Sequence, residues 1–363
     1  MSNILVIASH YPTLNRTYGG IFYHTRNLYY KKEFPNLTVM CFTAKTSYEI
    51  DGINVITKSE YDASPKKWDI LVCHAPDRNA YNFISKYEKD FKKIFFFIHG
   101  NEVLKINKYI KKEYLYVKNK RFSQYIIQEI RDGFKVILWK NLYIRLVEKA
   151  EWIFVSNWMK EEFFCNIKIA RELIQDKSHI IYNCVAETFE NEMYSFDTPK
   201  KYDFITIRGN FDTVKYGVDI VNEIAKQNPK YKFLIVGKGK YFEHFEKSDN
   251  VEILNTVLSH QEIVEILDKS RCALMPTRHD AQGVMMCEMA TYGIPLITSD
   301  IKVCREVLEG FDNIYYIDNN KPEVDPKKIF EAFDEYITKQ SRYYKINTCE
   351  KELELFRKEI RDE

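Results

Sequence analysis

The sequence predicts an α/β protein of two doubly wound domains, each a parallel sheet covered by helices on both faces. Short, continuously apolar runs alternate with segments of helical period along the whole chain, the pattern of strands buried on both sides. The alternation stops at a polar, strand-poor stretch, Ala186 to Lys201 (AETFENEMYSFDTPKK), and then begins again. At 363 residues the chain is long enough for two domains of ordinary size.

Taken in order, Ile4 to Ala8 reads as a fully apolar strand, followed by a loop with Gly19-Gly20 and a helix from about Ile21 to Lys32. Leu37 to Thr43, Asp69 to Cys73 and Lys93 to Ile98 read as further strands, with a helix near Arg78 to Asp90 between the last two. Trp152 to Val155 and Ile180 to Tyr182 continue the pattern. In the second half Phe204 to Ile207, Phe233 to Val236, Val251 to Leu254, Cys272 to Met275, Pro295 to Thr298 and Ile314 to Ile317 read as strands. Helices fit Val218 to Gln227, Gln261 to Asp268, Pro326 to Lys339 and Thr348 to Arg361. A short apolar helix starts at Gly283 and is stopped by Gly293. The expected domains are 1–185 and 186–345, with 346–363 a C-terminal helix able to pack back on the first domain.

With 54 Lys+Arg against 52 Asp+Glu the charge is almost balanced, so bulk nucleic-acid binding is not indicated. None of the eight cysteines stands at CxxC spacing, and several fall in apolar runs, as expected of reduced packing thiols in a cytoplasmic protein. No basic region with a long apolar core precedes the first strand, and no apolar run is long enough to span a bilayer.

In open α/β sheets ligands bind beyond the carboxyl ends of the strands, which the two-domain reading places at an interdomain cleft. The candidate site residues all follow strands. Arg208 directly follows Phe204 to Ile207, and Lys215 comes seven residues later. Two cations there, with Gly209 and Gly217 allowing close backbone approach, suit a diphosphate; both also read as ordinary surface cations. Gly237 and Gly239 form a GxG after a strand, but the next fingerprint position is Phe242, which argues against a nicotinamide or flavin cofactor. Gly283 opens a helix whose free N–H groups suit a phosphate. Glu288, in that apolar helix, points back along the face of Val284, where a carboxylate can accept both hydroxyls of a ribose. A satisfied structural Glu is the plainer alternative. Asp280, with seven residues between it and Glu288, is a second hydroxyl acceptor.

The order Arg208, Lys215, Asp280-x7-Glu288, then EMATYG, resembles the C-terminal domain of retaining glycosyltransferases of family 4, which have the GT-B fold of two Rossmann-like domains. The likeness covers about Ile205 to Asp300. It extends more weakly to Gly19-Gly20, His99-Gly100, Val155-Ser156 and Ile181-Tyr182-Asn183. The resemblance implies that Arg208 and Lys215 bind the donor diphosphate and stabilise its growing charge. It implies that Glu288 holds the nucleotide ribose and that Asp280 touches the transferred sugar. Gly19 and Gly20 would bring amides to the phosphate, and His99 would sit near the sugar. The family has Glu where this chain has Asp280, and commonly Phe-Gly where this chain has Gln282-Gly283, which puts the choice of sugar in question.

The implied activity is metal-independent hexosyl transfer with retention, from a UDP- or GDP-sugar to a saccharide or lipid-linked acceptor in surface polysaccharide or glycoconjugate synthesis. No cofactor is expected, the nucleotide-sugar being a substrate. A sugar-nucleotide epimerase on the same fold, or a catalytically degenerate sugar-nucleotide-binding subunit, fits the same residues.

Leu104 to Lys149 carries twelve Lys/Arg against four acids, a local charge of +8, interleaved with aromatic and aliphatic residues. Such a segment suits an anionic membrane surface, which would make the protein peripheral on the inner face of the cell membrane. Packed helices with a solvated cationic face are the alternative.

Overall fold

The computed structural model describes residues 3–13, 20–100, 102–109, 113–117, 122–333 and 338–361. Its contacts divide the chain into two compact units. The first comprises Met1–Ile106, Ile126–Cys184 and Lys345–Glu363, the second Asn107–Tyr125 and Val185–Tyr344. Sequence order alone assigns 107–125 to the first domain; the contacts assign it to the second.

Eight strands among the described residues form the sheet of the first unit. They are β1 (Ile4–Ala8), β2 (Thr38–Cys41), β3 (Tyr48–Ile50), β4 (Ile53–Thr57), β5 (Trp68–His74), β6 (Phe91–Ile98), β7 (Ala150–Phe154) and β8 (Ser178–Ile180). Their order is β3-β4-β2-β1-β5-β6-β7-β8, parallel except for the β3–β4 hairpin. That hairpin is missing from the sequence reading because both strands are short and β3 is an edge strand. Its turn, Asp51-Gly52 at positive φ (48° and 74°), is the Asp-Gly type that suits the twist of paired strands. Buried on both faces, β6 explains its Phe-rich run: Phe95 packs on Phe356 of the helix Cys349–Arg361, with ring centroids 4.8 Å apart. Phe96, on the opposite face, meets Tyr143 of the helix Phe122–Arg145 at 5.0 Å.

In the second unit the described strands are β9 (Tyr202–Asn210), β10 (Phe233–Lys238), β11 (Val251–Leu254), β12 (Ser270–Met275), β13 (Leu296–Ser299) and β14 (Ile314–Ile317). Every pairing is parallel, in the order β11-β10-β9-β12-β13-β14. Successive connections run outward in one direction from β9 and then in the other from β12. The switch point between these two strands is where a doubly wound sheet opens a ligand crevice. The helix that the sequence extends to Lys339 ends at Ala332, and residues 334–337 lie outside the described residues.

Candidate functional site

Arg208 and Lys215 reach the switch point from β9. The guanidinium of Arg208 is buried (7% exposed) and donates through Nη2 to the Pro276 carbonyl at 2.7 Å, while its Nε meets no acceptor. Burial lowers the Arg208 pKa, and Asp280 works against that loss. Beyond the strand, Thr213 caps a single turn, Val214–Tyr216, by accepting from the Lys215 N–H at 3.3 Å. The Tyr216 ring lies beneath both cations, 5.1 Å from the Arg208 guanidinium and 5.2 Å from the Lys215 ammonium.

The second half of the site follows β12. Arg278 donates its N–H to the Lys215 carbonyl at 2.8 Å, so this loop is stitched to the Lys215 turn through the backbone. Asp280 Oδ1 lies 3.4 Å from Lys215 Nζ and accepts from the Ala281 N–H at 2.8 Å. Burial pushes the Asp280 carboxyl up, but Lys215, the Ala281 N–H and Arg208 together hold it below the usual carboxylate range. His279, between them in chain and charge, is lowered to about 4 by burial and by Lys215. Its ring is therefore neutral at neutral pH, and its buried Nδ1 has no hydrogen-bond partner.

Gly283 adopts φ 77° at the start of the helix Val284–Tyr292, whose first turn carries no side-chain cap; Gly293 ends it at φ 95°. A Cβ on Gly283 would stand 3.2 Å from Met286 Cε and 3.6 Å from Asp280 Oδ2, so this turn sits directly against the Asp280 carboxylate. Val284 is half-buried. Glu288 is buried (4% exposed), accepts from the Ala186 N–H at 3.2 Å and has His260 Nε2 at 3.8 Å. Its carboxylate thus ties the helix Val284–Tyr292 to the start of the linker.

Two of the predicted residues in the first unit, Gly20 and His99, are among the described ones. Gly20 (φ 85°) begins the helix Ile21–Lys31, and a Cβ there would be 2.7 Å from the His10 carbonyl, so glycine is required. Gly19 lies outside the described residues. His99, at the end of β6, pairs through Nε2 with His74 Nδ1 at 3.1 Å and packs on Phe22 at 5.0 Å. Burial lowers both imidazole pKa values well below the usual range. Glu102 sits in a turn and accepts from the His99 N–H.

The structure therefore gathers Arg208, Gly209, Lys215, Asp280, Gly283, Val284 and Glu288 in the second unit, and Gly20 and His99 in the first. His279, Tyr216, His260 and His74 escape the sequence reading. His279 is adjacent to Asp280 in HDAQG, and Tyr216 follows Lys215, so proximity to a predicted residue was the available signal. Among the described residues no group of three or more His, Cys, Asp or Glu is placed to hold a metal ion.

Residues 205–338 match the family model described as "Glycosyl transferases group 1". A comparison of the sequence with curated proteins finds no match. Among solved structures, the chain is similar to a sucrose-phosphate synthase from Thermosynechococcus elongatus, with 12% identity, a TM-score of 0.71 and all of both chains covered. It is similar to Anabaena Alr3699/HepE in complex with UDP and glucose, with 11% identity, a TM-score of 0.68, and 99% of this chain and 100% of the other covered. A glycosyltransferase from Rickettsia africae ESF-5 has 13% identity and a TM-score of 0.65, over 100% of this chain and 99% of that one. At such identities the likeness establishes the shared architecture, two parallel-sheet domains of the GT-B type. The chain has the GT-B fold, and its second unit carries a group 1 glycosyltransferase domain.

Proposed function

We propose that the protein is a retaining glycosyltransferase of family 4 that moves a hexosyl group from a UDP- or GDP-sugar to a saccharide acceptor, without a metal ion. The observation that carries this reading is the Arg208–Lys215–Asp280 arrangement at the switch point of the second sheet. Arg208 is anchored by one nitrogen and keeps a buried donor, Nε, without an acceptor. Lys215 leans on Asp280 at 3.4 Å, longer than a tight charge-assisted hydrogen bond. Both cations have donor capacity for an anion. In a low-dielectric pocket they would stabilise the negative charge that grows on the diphosphate as the glycosidic bond breaks.

The remaining roles extend from there. The uncapped first turn at Gly283 and Val284 faces the diphosphate, Glu288 takes the ribose hydroxyls, and Asp280 takes a hydroxyl of the sugar. The family resemblance also gives Gly19, Gly20 and His99 a part in donor binding. The HepE structure, solved with UDP and glucose, supports a nucleotide-sugar donor for this fold. The acceptor we read as a saccharide on a lipid carrier, presented at an anionic membrane surface, in surface polysaccharide or glycoconjugate synthesis. Among the described residues no helix is long and apolar enough to cross a membrane; peripheral association on the cytoplasmic face fits this reading.

A panel of UDP-, GDP- and ADP-sugars, scored by thermal shift and by nucleotide release with and without saccharide acceptors, tests the reading. One donor class should bind and turn over, and EDTA should leave the rate unchanged. Arg208→Ala and Lys215→Ala should each lower kcat by about 100-fold or more. Glu288→Ala should lower kcat/KM by about tenfold through lost hydroxyl contacts. Turnover by Glu288→Ala at the wild-type level would leave that residue a structural role, through contacts that include the Ala186 N–H. Binding without turnover would identify a binding subunit, and an isomerised sugar without acceptor an epimerase.

A further inference from the structure

In chain order residues 107–125 interrupt the first unit, yet their contacts belong to the second. Glu113 to Val117 (EYLYV) forms a strap whose Glu113, Tyr114 and Tyr116 side chains bond to one short segment, 212–219. The Glu113 carboxylate accepts from the Thr213 hydroxyl at 3.2 Å and from the Val214 N–H at 3.1 Å. Tyr116 donates to Asp212 Oδ1 at 2.7 Å, and its ring stacks on His244 with centroids 4.1 Å apart. Tyr114 donates to Asp219 Oδ1 at 2.8 Å and packs on Tyr241 at 4.9 Å. Asp212, Thr213 and Val214 immediately precede Lys215, and Asp219 lies in the first turn of the helix Val218–Gln227 that follows it. The strap holds the Lys215 turn from both ends.

A second set of bonds carries the hold across to Asp280. Asp219 is also gripped by Arg278 in a two-pronged pair, at 2.9 and 2.6 Å. Arg278 Nη1 donates to the Val214 carbonyl at 2.7 Å, and its N–H to the Lys215 carbonyl at 2.8 Å. Hydrogen bonds therefore run without a break from Tyr114 through Asp219 to Arg278, two residues before Asp280, and on to the backbone of Lys215. Packing alone would be served by the tyrosine rings. The Glu113 carboxylate does something further, fixing the amide of the residue before Lys215.

We propose that Glu113, Tyr114 and Tyr116 are positioning residues for Lys215, holding the 212–216 backbone so that the ammonium meets the donor diphosphate already in place. This rests on reading Lys215 as a diphosphate-binding cation. A charge held in advance binds more tightly than one that must be ordered on binding. Removing the strap's hydrogen bonds should therefore weaken nucleotide binding while leaving the fold intact.

The test is calorimetric titration of the full-length protein with UDP, GDP and ADP. The variants are Lys215→Ala, Glu113→Ala, Glu113→Gln, Tyr116→Phe and the double variant Lys215→Ala/Glu113→Ala, with hydrogen exchange followed at the Val214 and Lys215 amides. For whichever nucleotide binds the wild type most tightly, Glu113→Ala and Tyr116→Phe should each weaken binding by about tenfold, with Glu113→Gln intermediate. Both should speed exchange at the two amides. The double variant should bind no more weakly than Lys215→Ala alone, because the strap acts through that lysine. Additive losses in the double variant, or wild-type affinity in Glu113→Ala and Tyr116→Phe, would overturn the proposal. If Lys215→Ala binds as the wild type does while the strap variants still loosen the Val214 amide, the diphosphate role of Lys215 is what fails. The proposal then fails with it, as it does if none of the three nucleotides binds the wild type.

Discussion

Gly209 and Gly237 stand on neighbouring strands, and the space around them assigns opposite constraints. A Cβ on Gly237, at φ 146°, would be 1.7 Å from the Arg208 carbonyl oxygen. The β9–β10 register breaks there, between Val236 and Lys238. Gly237 is thus the residue that lets the Arg208 backbone run close to β10, a structural need that outlasts the failed GxG cofactor pattern. A Cβ on Gly209 would meet nothing within 4 Å. Among the described residues no atom demands glycine at that position, and the open space lies beside Arg208, where the proposed donor would approach. Gly237→Ala is expected to destabilise the protein by about 1–3 kcal/mol and to lower activity by moving Arg208. Gly209→Ala is expected to unfold within about 0.5 kcal/mol of the wild type in urea yet to bind the donor nucleotide more weakly. Equal stability losses at the two sites would refute this division.

At the scale of an element, the helix Phe122–Arg145 changes the reading of the basic segment. Its buried face carries Val136, Trp139, Leu142 and Tyr143. Its other face exposes Ile130 (51%), Phe134 (63%) and Ile137 (56%), roughly one turn apart, with Arg131 exposed beside them. Several counted cations are engaged within the protein: Lys135 with Asp132 at 3.1 Å, Arg145 with Glu88 at 2.9 Å, and Lys149 with the Phe91 carbonyl at 3.2 Å. Lys111, Lys112, Lys118, Lys120 and Arg121 lie outside the described residues. The apolar stripe therefore contributes more to the membrane reading than the net charge does. Inserting such side chains into the headgroup–acyl boundary is worth on the order of 1 kcal/mol or more each. The double substitution Ile130→Asp/Phe134→Asp is expected to abolish co-sedimentation with anionic vesicles while leaving transfer to a water-soluble acceptor unchanged. Retained vesicle binding by that variant would remove the helix from the membrane reading.

On the scale of the whole chain, the polypeptide leaves the first unit twice, at 107–125 and at 185–344, and returns each time. The helix Cys349–Arg361 rejoins the first unit through Glu352, whose fully buried carboxylate accepts from Arg26 Nε at 3.1 Å across 326 residues of sequence, and from the Tyr30 hydroxyl. Phe356 packs alongside on Tyr30, with centroids 5.3 Å apart. A buried ion pair is a specificity device more than a source of net stability, but breaking one side strands the other charge. Arg26→Met or Glu352→Gln alone should cost about 3–5 kcal/mol in denaturant unfolding, and Arg26→Met/Glu352→Leu should recover most of it. A single-variant cost under about 1 kcal/mol, as for an exposed pair, would show that the C-terminal helix is held by its apolar face alone.

The sequence by itself determined the α/β class, the parallel strands and the positions of Arg208, Lys215, Asp280 and Glu288 relative to the strands and helix of the second unit, because each is written in a local period or a short spacing. Apolar runs of strand length, and glycines at 283 and 293, act within a few residues and need no partner to be read. The β3–β4 hairpin was within reach through its Asp51-Gly52 turn, although its strands are too short to carry a period. Only the tertiary structure decided which residues meet across long separations. Tyr114 and Asp219 lie 105 residues apart, and Glu288 and Ala186 lie 102 apart. Neither pairing leaves a periodic trace, because a hydrogen bond constrains two atoms and not the residues between them. The same reason hid the strap: residues 113–117 lie inside the basic segment with no period or motif of their own, and only their contacts assign them to the turn that carries Lys215.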